Sequence, residues 1–184
     1  MRRPLALASV TALIRARLIE QVGGPWTAEP ERTKVITQQP DHVLATDETG
    51  PLVNVFLYAA TPSAAGRNAG GGPQVPLTLT YLVAVHGVLP LDADILLGQV
   101  IAALTADPVI TPGQMAAVLA PAADDPSGLM SKVFRKEAVS WADDEVSLRL
   151  TLQTPDVESL GRIWSSFRAA YRPSVLVDVT GVQI

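Results

Sequence analysis

The 184-residue chain contains no cysteine. Disulfide staples and thiolate chemistry are therefore closed to it, and a metal could be held only by histidine, aspartate or glutamate. Histidine is nearly missing too: there are 2, His42 and His86, and no H-x-x-x-H or H-x-x-E spacing joins them. There is no excess of positive charge, since 14 Lys and Arg face 18 Asp and Glu for a net charge of −4. That balance excludes the usual electrostatic footprint of a binder of nucleic acid or anionic membrane. Long apolar runs are also lacking. The opening MRRPLALASVTALI is far shorter than a membrane span, and Arg15 and Arg17 follow it with no small-x-small cleavage pattern, so a secretory signal is not the expected reading. Leu7, Val10, Ile14 and Leu18 instead form one stripe of an amphipathic helix that runs to Val22 and stops at Gly23-Gly24-Pro25.

What the chain does have is apolar content, 48% of its residues, enough for one well-buried core. One domain over residues 1–184 is expected. Val146, Leu148, Leu150 and Leu152 alternate with polar residues, the period of a half-buried strand. Thr154 is then positioned to cap a helix with Pro155 at its first position, and Val157, Leu160, Trp164, Phe167 and Tyr171 make its apolar stripe. Arg172-Pro173 ends that helix, and the valine-rich segment from Ser174 reads as a closing strand. Upstream, Lys34 to Thr37 reads as a short strand. VNVFLY (53–58) reads as a central strand apolar on both faces, and LTLTYLVAVHG as its antiparallel partner. Asp92 is positioned to cap a helix carrying Leu96, Val100 and Leu104, which Asp107-Pro108 stops before a short extended Val109-Ile110. Gln114 to Leu119 allows a helical turn, Pro121 to Gly128 reads as a loop, and Phe134 to Trp141 is ambiguous between strand and loop. Residues 61–76, rich in Ala, Gly and Pro without period, are expected to form a flexible loop. The order gives an α+β fold: a mixed, mostly antiparallel sheet with about three helices packed on it.

Chemistry is hard to find. Asp124-Asp125 and Asp143-Asp144-Glu145 sit beside turns without the alternating spacing of a calcium loop. Gly70-Gly71-Gly72 lacks the Lys-Ser or Lys-Thr of a phosphate loop, and no G-x-S-x-G elbow occurs. No catalytic, cofactor-binding or metal-ligating residue is assigned, and the chain is not expected to be an enzyme. A pocket converging only in space, with Trp164, Tyr81 and His86 around it, is the alternative that would make this a ligand-binding domain or enzyme. Lys132, Arg135 and Lys136 form a local basic cluster suited to an acidic partner.

Six strings taken in order carry a resemblance: VNVFLY (53–58), LTLTYLV (77–83), DADILLG (92–98), DPVITP (107–112), LGRIWSSF (160–167) and RPSVLVDV (172–179). This pattern resembles the small cap, or tail-terminator, family of phage-tail-like contractile injection systems, which includes antifeeding-prophage and virulence-cassette particles. Pro121 to Trp141 and the glycine-rich loop depart from it. The resemblance implies a tail-terminator-like fold and a homohexameric ring, assembled in the cytoplasm. That ring ends the inner tube and anchors the last sheath ring, so the partners would be the chain itself, the tube protein and the sheath protein, with no cofactor, nucleic acid or membrane. A related tail-completion protein of a true phage has the same physics and stays open. Partner contacts are expected at Arg67 and Asn68 in the loop, at Lys132, Arg135 and Lys136, and at Val179, Val182 and Ile184, since a terminal strand or a sheet edge can recruit a partner through its backbone.

Overall fold

The computed structural model describes residues 5–22, 33–43, 50–63, 75–122 and 147–184. Helix α1 (Ala6–Gln21) buries Ala6, Val10, Leu13, Ile14 and Leu18: Val10, Ile14 and Leu18 as expected from their spacing, Ala6 and Leu13 in addition, with Leu7 only partly buried. It lies across one face of a six-stranded sheet of order β1-β2-β3-β6-β5-β4. The strands are β1 (Lys34–Ile36), β2 (Leu52–Pro62), β3 (Pro76–His86), β4 (Val109–Ile110), β5 (Leu148–Gln153) and β6 (Ser174–Gln183). Only the β1–β2 pair is parallel, so the sheet is mixed and mostly antiparallel, as expected. Helices α3 (Asp92–Thr105) and α4 (Pro112–Ala122) pack beside α1. Among the described residues there is also α2, a single turn at Pro40–Val43 that the polar context of the sequence concealed.

Residue alternation sorts the sheet into two faces. Val53, Val55, Leu79, Tyr81, Val83, Val85, Leu148, Leu150, Val177 and Val179 point into the core under α1, α3 and α4. Leu82, Ala84 and Leu176 point the other way, against Ile163 and Trp164 of α5 (Val157–Ser166). Trp164 Nε1 donates to Ser174 Oγ at 3.2 Å, and Phe167 sets its ring edge-on to Phe56 at 5.4 Å. Asn54 interrupts the apolar run of β2 for a reason: its side chain is buried, donating to Gln38 O and accepting from Gln38 N, both at 3.0 Å, just past the end of β1.

Three expectations need correction. The cap of α5 is Asp156, whose carboxylate accepts from Ser159 N at 2.6 Å, because Thr154 and Pro155 are still outside the helix. Val157 (88% exposed) is the first residue of the helix and faces solvent, and the helix ends at Ser166, before the expected stop at Arg172-Pro173, so Tyr171 (59%) lies beyond it; the stripe is formed by Leu160, Ile163, Trp164 and Phe167. Helix α4 also continues through Pro121 to Ala122, where a loop was expected. The closing strand is central: β6 lies between β3 and β5, and the edges are the short β1 and β4.

Near its end β6 carries a bulge, with Thr180 and Gly181 set against Thr78 where the register to β3 shifts. Gly181 has φ +93°, and a Cβ there would stand 2.4 Å from the Ser147 carbonyl oxygen. Gly181→Ala should therefore cost about 2 kcal/mol or more, read as a lower urea midpoint with unchanged slope. An unchanged midpoint would mean that the bulge relaxes freely.

Candidate functional site

In an antiparallel sheet, alternate strand ends emerge together. The end of β3, the start of β6 and the end of β5 share one end of this molecule, with Leu176 opposite Gln153 and Ser174 opposite Ala84. At that end β3 turns into α3 through Gly87-Val88-Leu89-Pro90-Leu91. A turn exposed to water is normally polar, yet Val88, Leu89 and Leu91 are 49%, 55% and 67% exposed. The backbone beneath them is fixed. Asp92 is 3% exposed, and its Oδ2 accepts from Val88 N at 3.1 Å and Leu89 N at 2.9 Å, while Asp92 N donates to Leu89 O at 3.1 Å. Gly87 is required, since a Cβ would lie 2.5 Å from Ala93 N. Expected as the cap of α3, Asp92 is instead its first residue: the cap position is Leu91, which makes no side-chain cap bond, and the Asp92 carboxylate reaches back to hold the turn before the helix.

Beside this turn stand His86 and Arg172. Burial holds the His86 imidazole down to about 4, helped by the neighbouring Arg172 guanidinium, so it is neutral at physiological pH. Arg172 is half-buried, and its Nε is sealed from water without a hydrogen-bond partner. Tyr171, exposed, lays its ring edge-on to Trp164 at 6.2 Å.

The other end of the molecule holds a cavity of about 240 Å³ between α1, α4 and the approach to β4. Leu13, Ile110, Ala117 and Val118 give it an apolar floor, and Arg17, Glu20 and Asp107 stand at its sides. Arg17 Nη1 donates to the Asp107 carbonyl at 2.6 Å, and Gln114 Nε2 to the Asp107 carboxylate at 2.9 Å. The α5 side of the sheet, by contrast, is polar beyond the helix: Thr80 Oγ1 donates to Asp178 Oδ1 at 2.6 Å, with Gln153 on Oδ2.

The expected contact residues fare differently. Val179 and Val182 are 0% and 1% exposed in the core, so neither side chain is offered to a partner, and the β6 backbone is already paired with β3 and, through Thr180, with β5. Ile184 is half-buried, its backbone exchanging hydrogen bonds with Val75 at 2.9 and 3.2 Å. Arg67, Asn68, Lys132, Arg135 and Lys136 lie outside the described residues, as do Val146, the acidic pairs at Asp124 and Asp143, and Phe134 to Trp141. Trp164, Tyr81 and His86 do not line one pocket. The sheet separates Tyr81, buried under α1 with its hydroxyl 3.0 Å from Thr11 Oγ1, from Trp164 on the opposite face. Among the described residues no three of His, Asp or Glu are grouped to hold a metal ion, and no helix is long and apolar enough to cross a membrane. The features that sequence reasoning missed are the turn and the cavity. The run V-L-P-L, apolar where a turn was due, was the available signal.

Two outcomes test this geometry. Asp92→Ala removes the acceptor of two turn N–H groups and should cost about 1 to 2 kcal/mol, with Asp92→Asn losing less; equal stability of all three by urea titration would refute the role. The unfolded imidazole takes its proton near pH 6.5 and the folded one only near 4, so stability should fall as pH drops through that window. Screened at this partly exposed ring, the loss is on the order of 1 kcal/mol, and His86→Gln should flatten it.

The comparisons fit this architecture. The chain matches the model of the Pvc16 N-terminal domain over residues 8–184. Its fold is similar to the sheath/tube terminator of PVC, an extracellular contractile injection system, in the extended state. That likeness has TM-score 0.57 and 18% identity, covering 97% of this chain and 56% of that one. It is also similar to the tube-terminating cap of the anti-feeding prophage, AFP, with TM-score 0.52 and 19% identity over 84% of this chain and 48% of that one. The chain thus spans about half the length of the solved chains it matches. No curated protein sequence matches it significantly. With the match running over all but its first seven residues, the chain belongs to the Pvc16 N-terminal domain family.

Proposed function

We propose that this chain terminates the inner tube of a phage-tail-like contractile injection system, as a homohexameric ring that also anchors the last sheath ring, and that it works by binding and not by catalysis. The observation that carries the reading is the family match over residues 8–184, joined to a fold similar to two terminators. Physical asymmetry supports it. A terminator has to engage a repeating tube on one side and present no copy of that surface on the other, or growth would continue. Here one sheet face is covered by three helices, while the other carries α5 and an open polar strip of threonines around Asp178. Arg67, Asn68, Lys132, Arg135, Lys136 and Ile184 are kept as proposed contacts to tube, sheath or neighbour.

Removing the chain from cells that make the particle should give tubes of irregular, extended length, and restoring it should narrow the length distribution again. Images of the tube end should show a sixfold layer. An unchanged length distribution, or another symmetry at that layer, would overturn the assignment.

A further inference from the structure

The apolar turn and the cavity lie at opposite ends of α3, whose 14 residues separate them by about 20 Å. One copy therefore cannot satisfy both. The fit is one of shape and charge. An apolar cavity of about 150 Å³ already takes a benzene-sized group, so the 240 Å³ here is ample for the Leu89 side chain with part of a neighbour. The turn end brings the half-buried Arg172, while the cavity wall carries the carboxylates of Glu20 and Asp107 beside one cation, Arg17, so the wall is acidic on balance. A guanidinium brought against such a wall gains charge-assisted hydrogen bonds. The turn is also held rigid by Asp92 before any partner arrives, which lowers the ordering cost of inserting it.

We infer that copies of this chain join head to tail: Val88, Leu89 and Leu91 of one copy insert into the cavity of the next, floored by Leu13, Ile110 and Ala117, and Arg172 meets its acidic wall. Such a contact is heterologous, with different surfaces on the two sides, and rotation between copies closes it into a ring. This rests on the ring reading above and names the surfaces that would make the ring.

The lack of native cysteine makes the test clean. In Leu89→Cys/Ala117→Cys both new thiols sit on exposed positions. Mild oxidation of the full chain at high subunit concentration should give a non-reducing ladder of covalent dimers, trimers and higher species, ending at six. Either single variant should give dimers at most. A second readout uses Leu89→Asp, which spoils the turn, and Ala117→Trp, which fills the cavity. Each alone should stay monomeric by light scattering, while an equimolar mixture should form a one-to-one dimer and nothing larger, because only one intact junction exists. Association without the inter-copy disulfide, or a double-cysteine chain that stays monomeric at millimolar concentration, overturns the contact. A ladder that runs past six keeps the contact and overturns the hexamer.

Discussion

One helix holds the two margins of the sheet together. Val10, Leu13, Ile14 and Leu18 of α1 are each at most 2% exposed, and at about 2 kcal/mol per buried side chain the four contribute as much as the net stability of an ordinary domain. Direction matters as much as amount. Arg15 and Arg17 project from opposite flanks of α1, about 200° apart. Arg15 Nε donates to Val35 O in edge strand β1 at 3.0 Å, and Arg17 reaches Asp107 O just before edge strand β4. For two residues so close in sequence to meet both margins, the sheet has to curve over the helix. Both edge strands are short, and each has a guanidinium at or beside it, but β1 pairs only with Leu52, Val53 and Asn54 of β2, so the outer backbone of β2 beyond Asn54 has no strand partner among the described residues.

That arrangement bears on how such a chain can assemble. Besides the free flank of β2, side-chain surfaces are available to recognise neighbours. The described surface concentrates exposed apolar side chains at the end where β3 turns into α3 and has an apolar hollow at the other end. A molecule with unlike ends has a direction, and direction is what a structure that must stop growing on one side requires. The buried carboxylate of Asp92 is central here. It fixes the turn geometry in the free chain and leaves the apolar side chains as the only part not yet paired.

Much of the architecture was legible because burial writes itself into spacing. The alternation in β5, the 81/83/85 face of β3 and the stripe of α1 each need only one solvent boundary to explain them. Strand order was not legible in the same way: nothing in the composition of β6 separates a central strand from an edge, since its valines suit both. The α5 cap misled because Thr154-Pro155 and Asp156 both satisfy the preference for a short oxygen-bearing side chain; the difference lies in which backbone N–H the folded chain presents, and Asp156 has Ser159 N within reach. The turn at Val88 was overlooked for the opposite reason. Its hydrophobicity was absorbed into the strand before it and the helix after it. Its exposure follows only from Gly87 and Asp92 folding the chain back so tightly that those side chains have nothing to rest on.

The interior place of β6 has a consequence for how the chain folds. β1, β2 and β3 can pair as their residues appear, and β4 with β5 later, but within the sheet these two parts are hydrogen-bonded together only by β6, which joins Thr80 to Asp178 across 98 positions of sequence. Until that strand arrives, β3 and β5 each expose a long unpaired flank, the kind of surface that recruits other chains. Nascent chains paused before Ser174 are therefore the species most exposed to aggregation and to chaperones. Arrival of the valine-rich strand is the event that turns two half-sheets into one.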